Sequence, residues 1–239
     1  MGSPESPIAG YLDHALLHPT MTDDEIIAGC REAAELGVAS VCVKPYAVPL
    51  AVSELTGTQV AVGTVIGFPH GANPTDVKAY ETKWAVERGA TEVDMVINVA
   101  KALACDWRYV ENDIRAVVQA AATRGAMVKV IFETDFIADD EIKRRLCSIS
   151  EQAGAHFVKT STGFGFVKQK NGDYNYVGAT EQDIQLMRQT CSSKVGVKAS
   201  GGIRSFEQAE RFIQLGATRL GTSASRAIVA ASGQDANSY

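Results

Sequence analysis

The stretch Ala153-Gly154-Ala155-His156-Phe157-Val158-Lys159-Thr160-Ser161-Thr162-Gly163 joins the end of a helix to a short strand and a small, hydroxyl-rich turn. A glycine that follows an amphipathic run suits the left-handed residue that closes a helix. The same punctuation returns as Leu36-Gly37-Val38, Arg88-Gly89-Ala90, Arg124-Gly125-Ala126 and Leu215-Gly216-Ala217, each time before a β-rich run. The repeat is one of form, not of strict sequence. It marks a βα unit used again and again along the chain.

Working outward, strands are predicted over 12–15, 38–43, 60–66, 92–98, 127–132, 157–160, 195–199 and 218–221. Helical patterns run over 23–36, 45–55, 74–88, 107–124, 139–153, 180–190 and 205–215, with a short one after 224. Thr22 with Glu25 reads as a capping box, and Asn73 before Pro74 as a cap followed by proline at the first helical position. About eight such units in a chain of 239 residues is the count of a closed barrel. The predicted fold is therefore α/β, a single (β/α)8 TIM barrel over 1–239, with a flexible tail from about residue 232. A doubly wound open sheet is the alternative. Its dinucleotide-binding form is disfavoured because no GxGxxG follows the first strand.

Composition narrows the function. The chain is 46% hydrophobic and 21% charged with a net charge of -5, ordinary for a globular protein. It has no clustered basic surface, so no nucleic-acid partner is expected. No apolar run reaches the roughly 20 residues of a membrane helix, and no membrane partner is expected. The start of the chain lacks the basic and apolar segments of a signal peptide. Met1-Gly2 with Ser6 matches a myristoylation pattern, which Pro4 weakens. Five cysteines stand scattered, none in a CxxC, which fits a reducing, cytoplasmic location better than a disulfide scaffold or a zinc site. Neither a metal nor a cofactor is expected.

In such a barrel the site forms at the C-terminal ends of the strands. Lys129, Lys159 and Lys198 lie inside predicted strands, where burying an ammonium is costly unless something compensates. Strand alternation puts Lys129, Ile131 and Glu133 on one face, Phe157 and Lys159 on another, and Gly196, Lys198 and Ser200 on a third. A helix-facing lysine would sit in apolar packing, so all three are expected to point inward as neighbours. Clustered cations depress one another's pKa, and a neutral lysine is a nucleophile that forms a Schiff base with a carbonyl. The competing reading is a lumenal ion pair, Lys129 with Glu133 or Asp94. Asp94, which shares its face with Glu92, Val96 and Asn98, is expected to move protons, to neutralise Lys129 or Lys198, or both.

Ser200-Gly201-Gly202-Ile203-Arg204-Ser205 and Arg219-Leu220-Gly221-Thr222-Ser223-Ala224-Ser225 each place small residues between a strand and a helix. Paired turns of this kind, after the last two strands of a barrel, bind phosphate through backbone N–H groups. Trp84 and Trp107 read as packing residues, and His18, His70 and His156 as structural or exposed. Cys42 ends a strand and is either pocket-lining or a small buried hydrophobe.

The phrases VKTSTG (158–163), VKASGGIRS (197–205) and EVDMVIN (92–98) resemble those of the deoxyribose-phosphate aldolases. So do LDHALLHP (12–19), VCVKPYAVP (41–49), VGTVIGFPHG (62–71), VKVIFET (128–134) and LGTSAS (220–225), which together span almost the whole chain. The resemblance implies a metal-free class I aldolase. Such an enzyme reversibly cleaves 2-deoxy-D-ribose 5-phosphate into acetaldehyde and D-glyceraldehyde 3-phosphate, a step of deoxyribonucleotide catabolism. It implies Lys159 as the Schiff-base lysine, Lys198 as the neighbour that lowers its pKa, and Asp94 as the proton-transfer residue. Gly163, Gly201, Gly202 and Ser223 would hold the phosphate. Asp13, Cys42, Lys129, Glu133 and Thr162 would line the pocket. Tyr239 matches the last tyrosine of a tail that assists proton transfer in some members. The family also suggests a homodimer or homotetramer. Two departures stand out: Ala15 replaces a threonine common after the Asp-His pair, and residues 164–178 are longer than the family's short loop. That insertion reads as a hairpin turning at Asn171-Gly172, or as a lid in which Lys168 or Lys170 touches phosphate. Another Schiff-base aldolase, a sugar-phosphate isomerase or a catalytically silent scaffold are the other readings.

Overall fold

The computed structural model describes residues 8–235, with side chains through 233. The myristoylation pattern and Tyr239 lie outside the described residues. After a 3-10 turn at Ala9–Tyr11, strand and helix alternate: β1 (Leu12–Leu16), α1 (Asp23–Leu36), β2 (Ser40–Val43), α2 (Val48–Leu55), β3 (Ala61–Ile66), α3 (Thr75–Glu87) and β4 (Glu92–Val96). Then come α4 (Val99–Leu103), α5 (Trp107–Ala122), β5 (Met127–Ile131), α6 (Asp140–Gln152) and β6 (Phe157–Lys159). A hairpin of β7 (Val167–Lys168) and β8 (Tyr174–Asn175) intervenes before α7 (Glu181–Thr190), β9 (Gly196–Ser200), α8 (Phe206–Gln214), β10 (Arg219–Thr222) and α9 (Ser225–Asp235). Eight parallel strands close in the order β1-β10-β9-β6-β5-β4-β3-β2, a (β/α)8 TIM barrel. Residues 232–235 belong to α9.

The strands sort their side chains by face. Val41, Val43, Val62, Ile66, Val93, Met95, Val128, Val130, Val158, Val197 and Leu220 point outward into one apolar core shared with the helices. Each fully buried residue of this kind contributes roughly 1.5–3 kcal/mol relative to exposure. The inward face is largely polar. Asp94 pairs in register with Lys129, Lys159 with Lys198, and Lys198 with Arg219. In parallel sheets, residues in register share a face, so these side chains converge in the lumen. Gly221 keeps that space open, since a Cβ there would come within 2.7 Å of Ser200 Oγ and 3.1 Å of Lys198 Cε.

Helix ends follow the sequence closely. Thr22 and Glu25 form the capping box on α1, and Gly37, Gly89, Gly125, Gly154 and Gly216 all take positive φ after helices. Asn73 is not a cap: α3 begins at Thr75 with Pro74 in the cap position and no side-chain bond. The 164–178 insertion is a hairpin, with Gly172 N–H donating to Gln169 O at 3.0 Å in the turn. The short helix α4 was not expected. Its Asn98 cap, accepting from Lys101 N–H at 3.2 Å, starts it where the strand was expected to continue.

Candidate active site

Lys159 closes β6 with 2% of its surface exposed. Its Nζ lies 2.8 Å from Asp94 Oδ2. The same oxygen accepts from Lys198 Nζ at 2.7 Å, and the other Asp94 oxygen accepts from Lys129 Nζ at 2.9 Å. One carboxylate on β4 therefore meets all three strand lysines. Asp13 accepts from Lys198 at 2.5 Å and from the Ser40 hydroxyl at 2.6 Å, and Glu92 accepts from Lys129 at 2.5 Å. Three carboxylates, not cations alone, surround the lysines.

The electrostatics separate two lysines that lie side by side. Burial is the largest influence on Lys159 and holds its amine below the ordinary lysine value; the Lys198 charge pushes the same way, and Asp94 opposes both. Mutual repulsion among lysines is thus a secondary cause, because each has carboxylate partners. Burial would also lower Lys198, but Asp13 and Asp94 outweigh it and raise that lysine above its usual value. Lys129 is held higher still by Asp13, Asp94 and Glu92 against burial. Burial works against ionised Asp94, and Lys129, Lys159 and Lys198 overcome it, holding the carboxyl well below its usual range. Two basic groups whose environments push their pKa values apart have the electrostatics that one nucleophile and one fixed cation require.

Glu133 behaves differently from the expectation that it shares the face of Lys129. β5 ends at Ile131, and Glu133 turns with a left-handed φ of 60°. Its carboxylate accepts from the Thr162 N–H at 3.1 Å and from the Thr162 hydroxyl, tying the loop after β5 to the loop after β6. Burial raises its pKa. Cys42 faces the lumen, and burial pushes its thiol up to about 11.

A cleft of about 650 Å3 opens at the C-terminal ends of β1, β6, β9 and β10. Gly163, Gly201, Gly202 and Ser223 all line it, together with Thr162 and Arg204. The turns are built backbone against backbone: a Cβ on Gly178 would come within 2.4 Å of the Gly201 carbonyl oxygen. Thr222 donates to Ile203 O at 2.7 Å and accepts from Ala224 N–H at 2.9 Å, joining the turn after β9 to the start of α9. Phe164, Phe166 and Tyr176 make the hairpin a wall of the cleft. Lys168 and Lys170 are exposed and do not line it. Phe164 also borders a neighbouring cavity of about 260 Å3 that includes Lys44 and Phe68, and its ring meets Phe68 edge-on at 5.4 Å.

Three basic side chains escaped the sequence reading. Arg204 stood in a quoted turn but had no assigned role. Arg219 sits at the start of its strand, under the lumen and not at the mouth. Lys78 is a fully buried lysine on α3 whose surroundings, Asp113 and the Val96 carbonyl, come from distant parts of the chain.

Comparison with known proteins agrees with this geometry. A family model described as DeoC/LacD family aldolase matches residues 8–231. A deoxyribose-phosphate aldolase of Bacillus cytotoxicus is 51% identical over 222 residues, 93% of this chain and 94% of that protein. One from Thermococcus kodakarensis is 49% identical over 224 residues, 93% of this chain and 95% of that protein. The solved tetrameric deoxyribose phosphate aldolase of Aeropyrum pernix superposes with a TM-score of 0.84 at 32% identity, covering 97% of this chain and 92% of that one. This chain belongs to the DeoC/LacD family of aldolases.

Proposed function

We propose that this protein reversibly cleaves 2-deoxy-D-ribose 5-phosphate to acetaldehyde and D-glyceraldehyde 3-phosphate through an imine on Lys159. The observation that carries this reading is the buried Lys159 amine, lowered in pKa, 2.8 Å from a carboxylate that also holds Lys198. Neutral Lys159 Nζ attacks C1 of the open-chain aldehyde, and loss of water gives an iminium. The C3 hydroxyl gives up its proton as the C2–C3 bond breaks, and the electron pair of that bond flows into the iminium. Glyceraldehyde 3-phosphate leaves, and C2 remains as an enamine on Lys159. Protonation at C2 and hydrolysis then release acetaldehyde and regenerate the amine.

Asp94, in contact with both Lys159 and Lys198, is the group to which we assign the proton transfers. Protonated Lys198 stabilises the oxyanions that develop beside it. The phosphate is assigned to three turns, Gly163 after β6, Gly201 and Gly202 between β9 and α8, and Ser223 before α9, where backbone N–H groups favour an anion. Arg204 is the one lysine or arginine lining that cleft among the described residues. Arg204→Ala is expected to raise KM about tenfold with kcat nearly unchanged, as for loss of one charged hydrogen bond. An unaltered KM would remove Arg204 from phosphate binding.

The direct test is reductive trapping. Incubation with deoxyribose 5-phosphate and borohydride, followed by digestion and mass spectrometry, is expected to give an adduct on Lys159 that Lys159→Ala abolishes. Folded protein left unmodified at Lys159 would refute imine chemistry. A cytoplasmic role in deoxyribonucleotide catabolism is part of the same reading, supported by five free thiols. So is assembly into a dimer or tetramer, which light scattering measures.

A further inference from the structure

The floor of the barrel holds a charged layer that takes no part in the steps above. Arg219 enters it from the start of β10. Its Nη1 lies 2.5 Å from Asp13 Oδ1 and 3.2 Å from both Glu92 oxygens, and its guanidinium stands 5.5 Å from the centre of the Phe157 ring. Asp13 also meets Lys198, and Glu92 also meets Lys129. Arg219 is thereby joined, by direct contacts, to the cluster around Lys159.

The contact network contains three carboxylates, Asp13, Glu92 and Asp94, and four basic side chains, Lys129, Lys159, Lys198 and Arg219. With Lys129, Lys198 and Arg219 charged and Lys159 neutral, positive and negative charges cancel. A proton on Lys159 leaves one surplus cation among side chains that are almost fully buried, where an unpaired charge is costly. We propose that Arg219 is a positioning residue for imine formation: it supplies the third fixed cation, so that the lumenal network is neutral with Lys159 uncharged. This rests on the reading of Lys159 as the imine-forming lysine. Lys159 is faced by Asp94 from β4, Lys198 from β9 and Cys42 from β2; Glu133, beyond β5, is engaged by Thr162. Lys129 and Asp13 act through Asp94 and Lys198. Arg219 acts one step further away, through Asp13 and Glu92.

Two substitutions carry opposite signs. Arg219→Gln removes a cation, leaves the network one charge negative with Lys159 neutral, and lets Lys159 keep its proton to higher pH. Glu92→Gln removes an anion and does the reverse. The Arg219→Gln/Glu92→Gln double variant restores the balance, and Arg219→Lys never loses it. The measurement is the rate of cyanoborohydride trapping of acetaldehyde on Lys159 across pH, which follows the neutral fraction of the amine. The midpoint is expected to rise about one pH unit in Arg219→Gln and fall about one unit in Glu92→Gln, with the other two variants near wild type. Below the midpoint, a one-unit rise is a tenfold loss of trapping rate. Unmoved midpoints, or two single variants that move the same way, overturn the inference. If Arg219→Gln does not fold by circular dichroism, Glu92→Gln decides: a lower midpoint supports the balance, and an unchanged or higher one refutes it. Wild-type protein that gives no Lys159 adduct at any pH fails the proposed function and this inference together. A wild-type adduct whose midpoint ignores these charges fails the inference alone.

Discussion

Asp94→Asn is expected to lose about three orders of magnitude in retro-aldol turnover while still trapping acetaldehyde on Lys159. The two halves of that result come from two effects of one carboxylate. Asp94 touches Lys129, Lys159 and Lys198, and its charge raises the Lys159 pKa against the burial that lowers it. Removing the charge leaves Lys159 neutral over a wider range, so the first nucleophilic step keeps its reagent. What is expected to disappear is the proton transfer assigned to Asp94 at the C3 hydroxyl and at C2 of the enamine. The amide keeps the size of the side chain but cannot act as a base. Single-turnover trapping and steady-state cleavage, measured on the same preparation, separate the steps. If Asp94 were only a counter-ion, cleavage would fall less than about tenfold, and the chief change would be a shift of the pH profile.

Much of this site was legible in the linear chain, for a physical reason. A lysine inside an apolar strand breaks the local rule for strands, and such breaks concentrate where function needs them. Lys129, Lys159, Lys198 and Asp94 were visible in that way, and the repeated helix–glycine–strand punctuation was enough to order the strands that bring them together. Alternation then failed where a strand stopped. Glu133 lies two residues beyond the end of β5 and turns toward Thr162, because a left-handed backbone at that position breaks the two-residue period. Arg219 was hidden by a different ambiguity: it starts a strand whose other end carries a recognisable turn, and only the register with Lys198 shows that it belongs beneath the lysines. The insertion at 164–178 announced its hairpin through Asn171-Gly172, yet gave no sign that Phe164, Phe166 and Tyr176 would wall the cleft. Lys78 was not legible, since in a helical sequence a lysine is ordinarily a solvated residue.

That lysine makes the largest stability prediction. Lys78 is 0% exposed, and its amine lies 2.5 Å from Asp113 on α5 and 2.9 Å from the Val96 carbonyl at the end of β4. Asp113 also accepts from the Thr75 hydroxyl at 2.9 Å. Burial is the main influence lowering the Lys78 pKa, with Asp113 working against it. Asp113→Ala strands the amine with one carbonyl partner, and is expected to cost about 3–5 kcal/mol in urea unfolding. Lys78→Met/Asp113→Leu removes both charges and fills the space, so its loss should be less than half as large, since well-packed apolar pairs replace buried ion pairs with little penalty. The two results together distinguish a pair that adds stability from one that mainly imposes a geometry. The geometry matters here because the Lys78 stem packs beneath Gly67, where a Cβ would approach Lys78 Cε to 2.9 Å. The turn that follows carries Phe68, the partner of Phe164 over the cleft. Asp113→Ala within about 1 kcal/mol of wild type would mean that water reaches Lys78, and that the pair neither supports the Phe68 turn nor fixes the end of the Asp94 strand.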